Sequence, residues 1–360
     1  MALLLAASPA LHAQPLTLPE ASPKASVAQT IGVTAVSVSY HRPAVNQREV
    51  WGKLVPYGYG DLGFGMAKTA PWRAGANENT VVTFQHDVAV AGQPLKAGAY
   101  GLFMALTPEG NVTVIFSRDS ARWGSFFYDE ARDALRVNVK WEDAPFQEQL
   151  AYEFTEVTKD SAVLALRWEK KRIPIPLKVD TQTHVLASMK DELANAKGFH
   201  ARAWVQGVNY LLDNNLDPKL ALEWSDYALS ARYVGEKTFA TLSTRAKALE
   251  RVGRADEART AMDGALKLGT PTEVHQYGRQ LLTQKQTDRA LEVFKLNAQL
   301  HPEAWPVNYG LARGYAALGN FPAALEALEK ARTQIPPGDA LNAAASNINL
   351  EKLKRGENIN

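Results

Sequence analysis

Over the last third of this 360-residue chain, one apolar pattern returns after 34 residues: Ala290, Phe294 and Pro302 recur as Ala324, Leu328 and Pro336. A period of that length is one helical hairpin. Its two helices cannot bury their apolar faces alone and do so by stacking on the next pair. In the unit beginning at Ala304, Leu311 and Ala312 face inward on a first helix, Tyr315 packs toward the next, and Gly319 makes the turn. Ala324 permits close approach, Leu328 fills the groove, Ala331 allows the next crossing and Pro336 ends the pair. Gly278, Leu281, Ala290, Phe294, Ala298 and Pro302 take matching places one unit earlier. Ala246, Leu249, Gly253, Ala258, Met262 and Ala265 precede them, with a step from Ala258 to Ala290 of 32 residues. A degenerate first unit holds Trp204, Ala221, Ala228 and Leu229, and Ala340–Leu353 reads as a capping helix with a polar end at Lys354–Asn360. Such an array binds partners and does no chemistry of its own; the rival reading is a generic helical bundle.

Before Asp180 the rhythm is different. Val36, Val38 and Tyr40 alternate with Ser37, Ser39 and His41, the period of two of a half-buried strand. Similar segments run Thr80–Phe84, Ala99–Met104, Asn111–Phe116, Leu135–Trp141, Leu150–Val157 and Ala162–Trp168, with turn residues between them. Eight to ten short strands at this spacing predict an all-β antiparallel sandwich or barrel-like domain. Pro174 and Pro176 cannot donate to a ladder, so the last apolar stretch is expected to be an edge strand. One short helical insertion is predicted over Ser125–Ala134, and Tyr57–Ala70, with Gly58, Gly60, Gly63 and Gly65, reads as a loop anchored by aromatics. The chain is therefore multidomain: a β domain over 22–180, then an α-helical repeat domain over 181–360 that opens with a linking helix, Thr181–Leu193.

Charge excludes some functions. Lys and Arg number 40 against 38 Asp and Glu, so no basic field favours nucleic acid, and the run Lys170-Lys171-Arg172 reads as a solvated strand end. Cysteine is absent, which removes disulfides, thiol nucleophiles and Cys-based metal sites. Residues 1–13 read as a signal peptide: Leu3–Ala7 is apolar, Ser8-Pro9 breaks it, and Leu11-His12-Ala13 precedes a cleavage point near Ala13. The basic leader is missing, and an apolar tail is the alternative. The expected location is periplasmic or secreted. No other run approaches the ~18 apolar residues of a membrane span.

The search for chemistry is short. Seven histidines occur without metal-ligand spacing, and neither a phosphate loop nor a Gly-x-Ser-x-Gly elbow is present, so no cofactor and no metal are expected. The polar string Trp72-Arg73-Ala74-Gly75-Ala76-Asn77-Glu78-Asn79-Thr80 leads into a strand. Arg73 could hold a carboxylate there and Glu78 act as a general base; alternatively Arg73 simply pairs with Glu78 and the amides bond loop backbone. Tyr40-His41-Arg42-Pro43 ends a strand, where His41 is either a proton shuttle or an exposed strand-end residue. The expected ligand-binding set is Tyr40, Arg42, Trp72, Arg73, Asn77, Glu78 and Asn79, with Glu78, Arg73 and His41 as catalytic candidates. Trp51, Trp123, Phe126, Phe127 and Tyr128 would stack on sugars or pack as core and lid.

Several strings together carry a resemblance: Ala21–Val27, Tyr40–Pro43, Val50–Gly58, Trp72–Thr80 and Lys96–Phe103, followed by Trp123–Ser125 and Ile173–Val179. They resemble the bacterial family catalogued as domain of unknown function 2911, over about Ser22 to Asp180. The resemblance implies an exported protein of Gram-negative bacteria and no settled activity. Gly60–Thr69 is an insertion relative to the family's usual pattern, expected to hang over any pocket at the Trp-Arg loop. The helical part resembles tetratricopeptide arrays, which implies a protein or peptide partner without naming it. Three functions follow as expectations: an exported, non-enzymatic ligand- or protein-binding protein of the bacterial envelope; a hydrolase-type enzyme around Arg73 and Glu78; and a carbohydrate-binding sandwich using Trp51, Trp72 or Trp123.

Overall fold

The computed structural model describes residues 18–360; the segment 1–13, read as a signal peptide, lies outside them. The chain divides into two compact units between Ser188 and Met189.

In the first unit, the strands are β1 (Lys24–Ile31), β2 (Thr34–His41), β3 (Gly60–Asp61), β4 (Thr69–Ala70), β5 (Thr80–Phe84) and β6 (Val88–Val90). They continue as β7 (Gln93–Leu95), β8 (Gly98–Leu106), β9 (Asn111–Ser117), β10 (Asp133–Lys140), β11 (Glu142–Thr155) and β12 (Ser161–Val179). A six-stranded sheet has the order β1-β2-β5-β8-β9-β10, a four-stranded sheet the order β11-β12-β6-β7, and β3 pairs with β4. The strand pairs are antiparallel, and one apolar core draws on both large sheets, with Val36, Val38, Leu102 and Phe116 from one and Leu150, Leu164, Trp168 and Ile175 from the other. This is the layered sandwich that the alternation in β2 predicts.

Three local expectations change. β12 is an interior strand of 19 residues: β11 pairs with it up to Arg172 on one side, and β6 from Leu177 on the other. Pro174 and Pro176 fall between these two partnerships, where no N–H is needed, and Pro176 accepts a bond from the Ala91 N–H at 2.8 Å. The basic run is not a strand end. Lys171 reaches Asp143 at 2.6 Å and Arg172 reaches Glu142 at 2.9 Å across the β11–β12 ladder. The insertion at Ser125–Ala134 is two 3-10 turns, Gly124–Phe127 and Glu130–Arg132.

The second series is helical: α1 (Thr181–Leu193), α2 (Ala201–Asp213), α3 (Pro218–Ser230), α4 (Phe239–Arg251) and α5 (Ala255–Leu266). Then come α6 (Pro271–Thr283), α7 (Thr287–Leu300), α8 (Trp305–Ala317), α9 (Phe321–Gln334) and α10 (Ala340–Lys354). The repeat roles hold. Phe294 of α7 lies so close to α6 and α8 that a Cβ on Gly278 or Gly310 would stand 2.3 or 2.6 Å from its ring. The first helix of each pair is followed by a left-handed residue: Asn215, Gly253, Lys285 and Gly319. A Thr270–Glu273 capping box and Pro271 start α6. The polar end does not simply trail into solvent: Ile359 is buried, and Arg313 donates to its carbonyl at 2.9 Å.

Candidate functional site

The segment Trp72–Thr80 connects β4 to β5 and is pinned at both ends. Trp72 exchanges backbone bonds with Met104 at 2.9 and 2.8 Å. Ala74 and Asn77 hold φ of +49° and +55°, left-handed values that cost a non-glycine residue energy and persist only under outside restraint. The restraint is visible. The Ala74 carbonyl accepts from the Thr80 hydroxyl at 3.1 Å and from the buried Tyr152 hydroxyl at 2.8 Å. Burial raises the Tyr152 phenol well above its ordinary pKa, so it stays a donor.

On one side of this loop, the carboxylate of Glu78 meets the last residue of β2. Glu78 Oε2 lies 3.2 Å from His41 Nε2, and Glu20 Oε2 lies 3.4 Å from the same nitrogen. His41 is only 4% exposed, so the strand-end reading as a solvated residue is corrected: loops carrying both glutamates cover it. Its Nδ1 is buried without a hydrogen-bond partner. With two carboxylates facing it, Nε2 is the nitrogen placed to donate a hydrogen bond. Lys24, Ser39, Asn79 and Arg122 complete a cleft of about 230 Å³ around this pair. Asn79 donates to the Asp119 carbonyl at 2.8 Å and leaves its own buried oxygen unpartnered.

Arg73 does not join this group and does not pair with Glu78. It donates to the Asn77 carbonyl at 2.7 Å and lies over the Phe126 ring at 5.1 Å. Burial pulls its pKa below the ordinary arginine value, although a guanidinium stays charged in a protein. A Cβ on Gly124 would stand 2.6 Å from the guanidinium, so the Trp123-Gly124-Ser125 string is the floor on which Arg73 rests. Ser125 fixes that floor by donating to the Pro71 carbonyl at 2.7 Å. Arg73, Trp72 and Asn77 line a different recess, of about 300 Å³, with Arg48 and Trp168. The residues predicted as one cluster are thus divided between two recesses.

The remaining members also make bonds within the β domain. Tyr40 accepts from the Tyr152 backbone N–H at 3.1 Å inside the core, although its edge also reaches the cleft, and Arg42 donates to the Leu150 carbonyl at 2.9 Å. Asn77 donates to Ser22 at 3.4 Å and Glu20 at 3.5 Å, which ties the N-terminal segment to the loop. Trp51 packs edge-on against Trp72, Trp141 and Trp168 at 5.5 to 6.0 Å, and Trp72 stacks on Trp168, so these rings serve the core and offer no flat exposed platform. Trp123 is exposed. The insertion Gly60–Thr69 contacts the Arg73 floor rather than the His41 cleft: Met66 and Ala67 donate to the Phe126 carbonyl at 3.0 and 3.3 Å. Sequence reasoning missed Glu20, Lys24 and Arg122. The period-two alternation in β1 and β2 was the signal that could have placed Lys24 beside His41, its ladder partner.

Comparison with known proteins gives two matches along the chain. Residues 22–177 match the family model described as a protein of unknown function, DUF2911, and residues 281–348 match a tetratricopeptide repeat model. Both resemblances read from the sequence are thereby shown. Among solved structures, PilF of Pseudomonas aeruginosa is 18% identical, with 43% of this chain and 72% of that chain covered and a TM-score of 0.29. MamA from Desulfovibrio magneticus is 22% identical, covering 45% and 97%, at 0.27. YrrB, a tetratricopeptide protein described as having an unusual peptide-binding site, is 19% identical, covering 47% and 86%, at 0.27. At such scores nothing about role is carried over. No curated protein matches the chain.

Proposed function

We propose that this chain is an exported bacterial-envelope protein whose helical module docks a protein or peptide partner while its β domain holds a ligand at the sheet rim. The carrying observation is the stack of hairpins α2–α3, α4–α5, α6–α7 and α8–α9, whose interiors are filled by each other and whose outer faces remain for a partner. The apolar stretch before Gln14 supports export. The test is photo-crosslinking from single positions of the full chain in a Gram-negative host, combined with fractionation. Discrete adducts from exposed positions of the helical module such as Leu318, in the turn after α8, are expected in the periplasmic or secreted fraction. A chain retained in the cytoplasm ends the export reading, and absence of adducts from every helical position ends the docking reading.

A second reading is favoured by the Glu78–His41 contact. A half-exposed carboxylate held by a buried imidazole can take a proton from a molecule in the cleft, becoming neutral while the imidazole N–H keeps it in place. Glu78→Gln keeps the shape and removes the base. A broad substrate screen in which wild type turns over a compound and Glu78→Gln does not supports this reading; equal activity of the two ends it.

A further inference from the structure

The first helical pair, the least regular in sequence, carries a recess larger than either of the two described in the β domain. A cleft of about 520 Å³ lies between the end of α1, the 3-10 turn Ala196–Phe199, α2, α3 and the turn after α3. Its wall is aromatic: Trp204 packs against Trp224 at 5.9 Å and Tyr227 at 4.3 Å, while Phe199 and Tyr233 are 67% and 79% exposed. Large apolar rings left that open need a reason.

The local backbone is arranged to hold them so. A Cβ on Gly198 would stand 1.8 Å from the Leu193 carbonyl, and one on Gly207 would stand 2.9 Å from the Trp224 ring, so glycine lets the turn and α3 close tightly. After α3, Val234 is buried as an anchor and its neighbour Tyr233 is turned outward with φ of +69°, a left-handed value unusual for a bulky residue. Arg232 lies over the Tyr233 ring at 4.8 Å.

Charge decides what such a wall can take. An aromatic box alone suits a cation. Here the charged residues lining it are Lys190 and Arg232, both positive, and no acidic side chain lines it. Nearby Lys197 is paired with Glu192 at 2.6 Å, whereas among the described residues Lys190 and Arg232 have no ion-pair partner. A cationic guest is therefore repelled, and a carboxylate-bearing one finds two positive charges without an ion-pair partner beside a ready apolar seat.

We propose that this cleft binds an acidic peptide segment, seating one bulky apolar side chain among Trp204, Tyr227 and Tyr233 and placing flanking carboxylates on Lys190 and Arg232. The proposal rests on the partner-docking reading of the helical module and assigns it a place and a chemistry.

The test uses the full chain and a fluorescein-labelled peptide, Gly-Asp-Glu-Phe-Glu-Asp-Gly, followed by anisotropy. Saturable binding is expected, weakening as salt rises from about 50 to about 300 mM. Replacing the peptide's Phe by Ser, or its acids by lysines, is expected to weaken binding at least about tenfold, as are Arg232→Glu and Tyr233→Ser in the protein. Both protein positions are exposed, and circular dichroism checks that each variant folds. Absence of saturable binding, equal binding of the altered peptides, or unchanged affinity of Arg232→Glu overturns the proposal. Displacement of the peptide by neutral maltohexaose with equal strength in Arg232→Glu overturns it in favour of a sugar site. If the proposal fails while crosslinks from other helical positions persist, this site is wrong and partner docking stands. If those crosslinks are absent as well, docking itself is wrong.

Discussion

The two regions bury their apolar residues in opposite ways. The β domain gathers large side chains, among them Trp168, Phe84, Phe116 and Leu164, into one continuous core fed by strands far apart in sequence. The helical series makes two smaller cores, one around Phe294 and Met262 and one around Leu328 and Leu353, rich in alanine and built from neighbouring pairs. A core closed by distant contacts fails as a whole, whereas a stack of neighbours fails by sections. The difference teaches where a single change should be felt, and pulsed hydrogen exchange on the full chain can read both regions in one sample.

The largest expected effect is in the β core. Trp168→Ala should cost about 3–5 kcal/mol, with protection lost across β2, β8, β11 and β12 together. Equal loss in α6–α9 would break the comparison by making the whole chain one cooperative unit.

Next comes a pH effect confined to the helices. Burial, then the charges of Arg313 and Arg279, lower the His275 pKa to about 4. The unfolded chain takes up this proton near 6.5 and the folded one does not until about 4, so the stability is fully present above 6.5 and is lost as pH falls through that window. The helical transition should weaken by on the order of 3 kcal/mol across it. The loss should largely vanish in His275→Gln, and an unchanged slope in that variant would assign the proton elsewhere.

Smaller again is Gly278→Val, which pushes a side chain into the Phe294 ring; about 1–3 kcal/mol should be lost, seen in α6–α8 and absent from the strands. The smallest change should stabilise. Lys285 holds φ of +61° where Gly253 and Gly319 stand in sister hairpins, so Lys285→Gly should gain about 1 kcal/mol in the helical transition. A loss would show that the Lys285 side chain contributes more than its backbone strain costs.

What could be read in advance follows the same division. The hairpins were legible because their partners lie within one period: Gly278, Ala290 and Phe294 occupy the predicted places. Strands β2, β5 and β9 were legible from alternation. The environment of His41 was not, since Glu20 and Glu78 reach it from loops separated widely along the chain. Arg73 and Glu78, five residues apart, looked like natural partners; two left-handed residues between them send the side chains to opposite sides. Pro174 and Pro176 misled for a related reason, because one long strand can change neighbours partway along.

The doubly bonded carbonyl of Ala74 has a mechanical meaning. Thr80 belongs to the six-stranded sheet and Tyr152 to the four-stranded one, so a single peptide oxygen rivets the two layers together at the rim. Any breathing of the sandwich must tug on the loop that carries Glu78. The shape offered to a guest beside His41 is thereby slaved to the spacing of two sheets, and Tyr152→Phe, which cuts one shank of the rivet, should free one from the other.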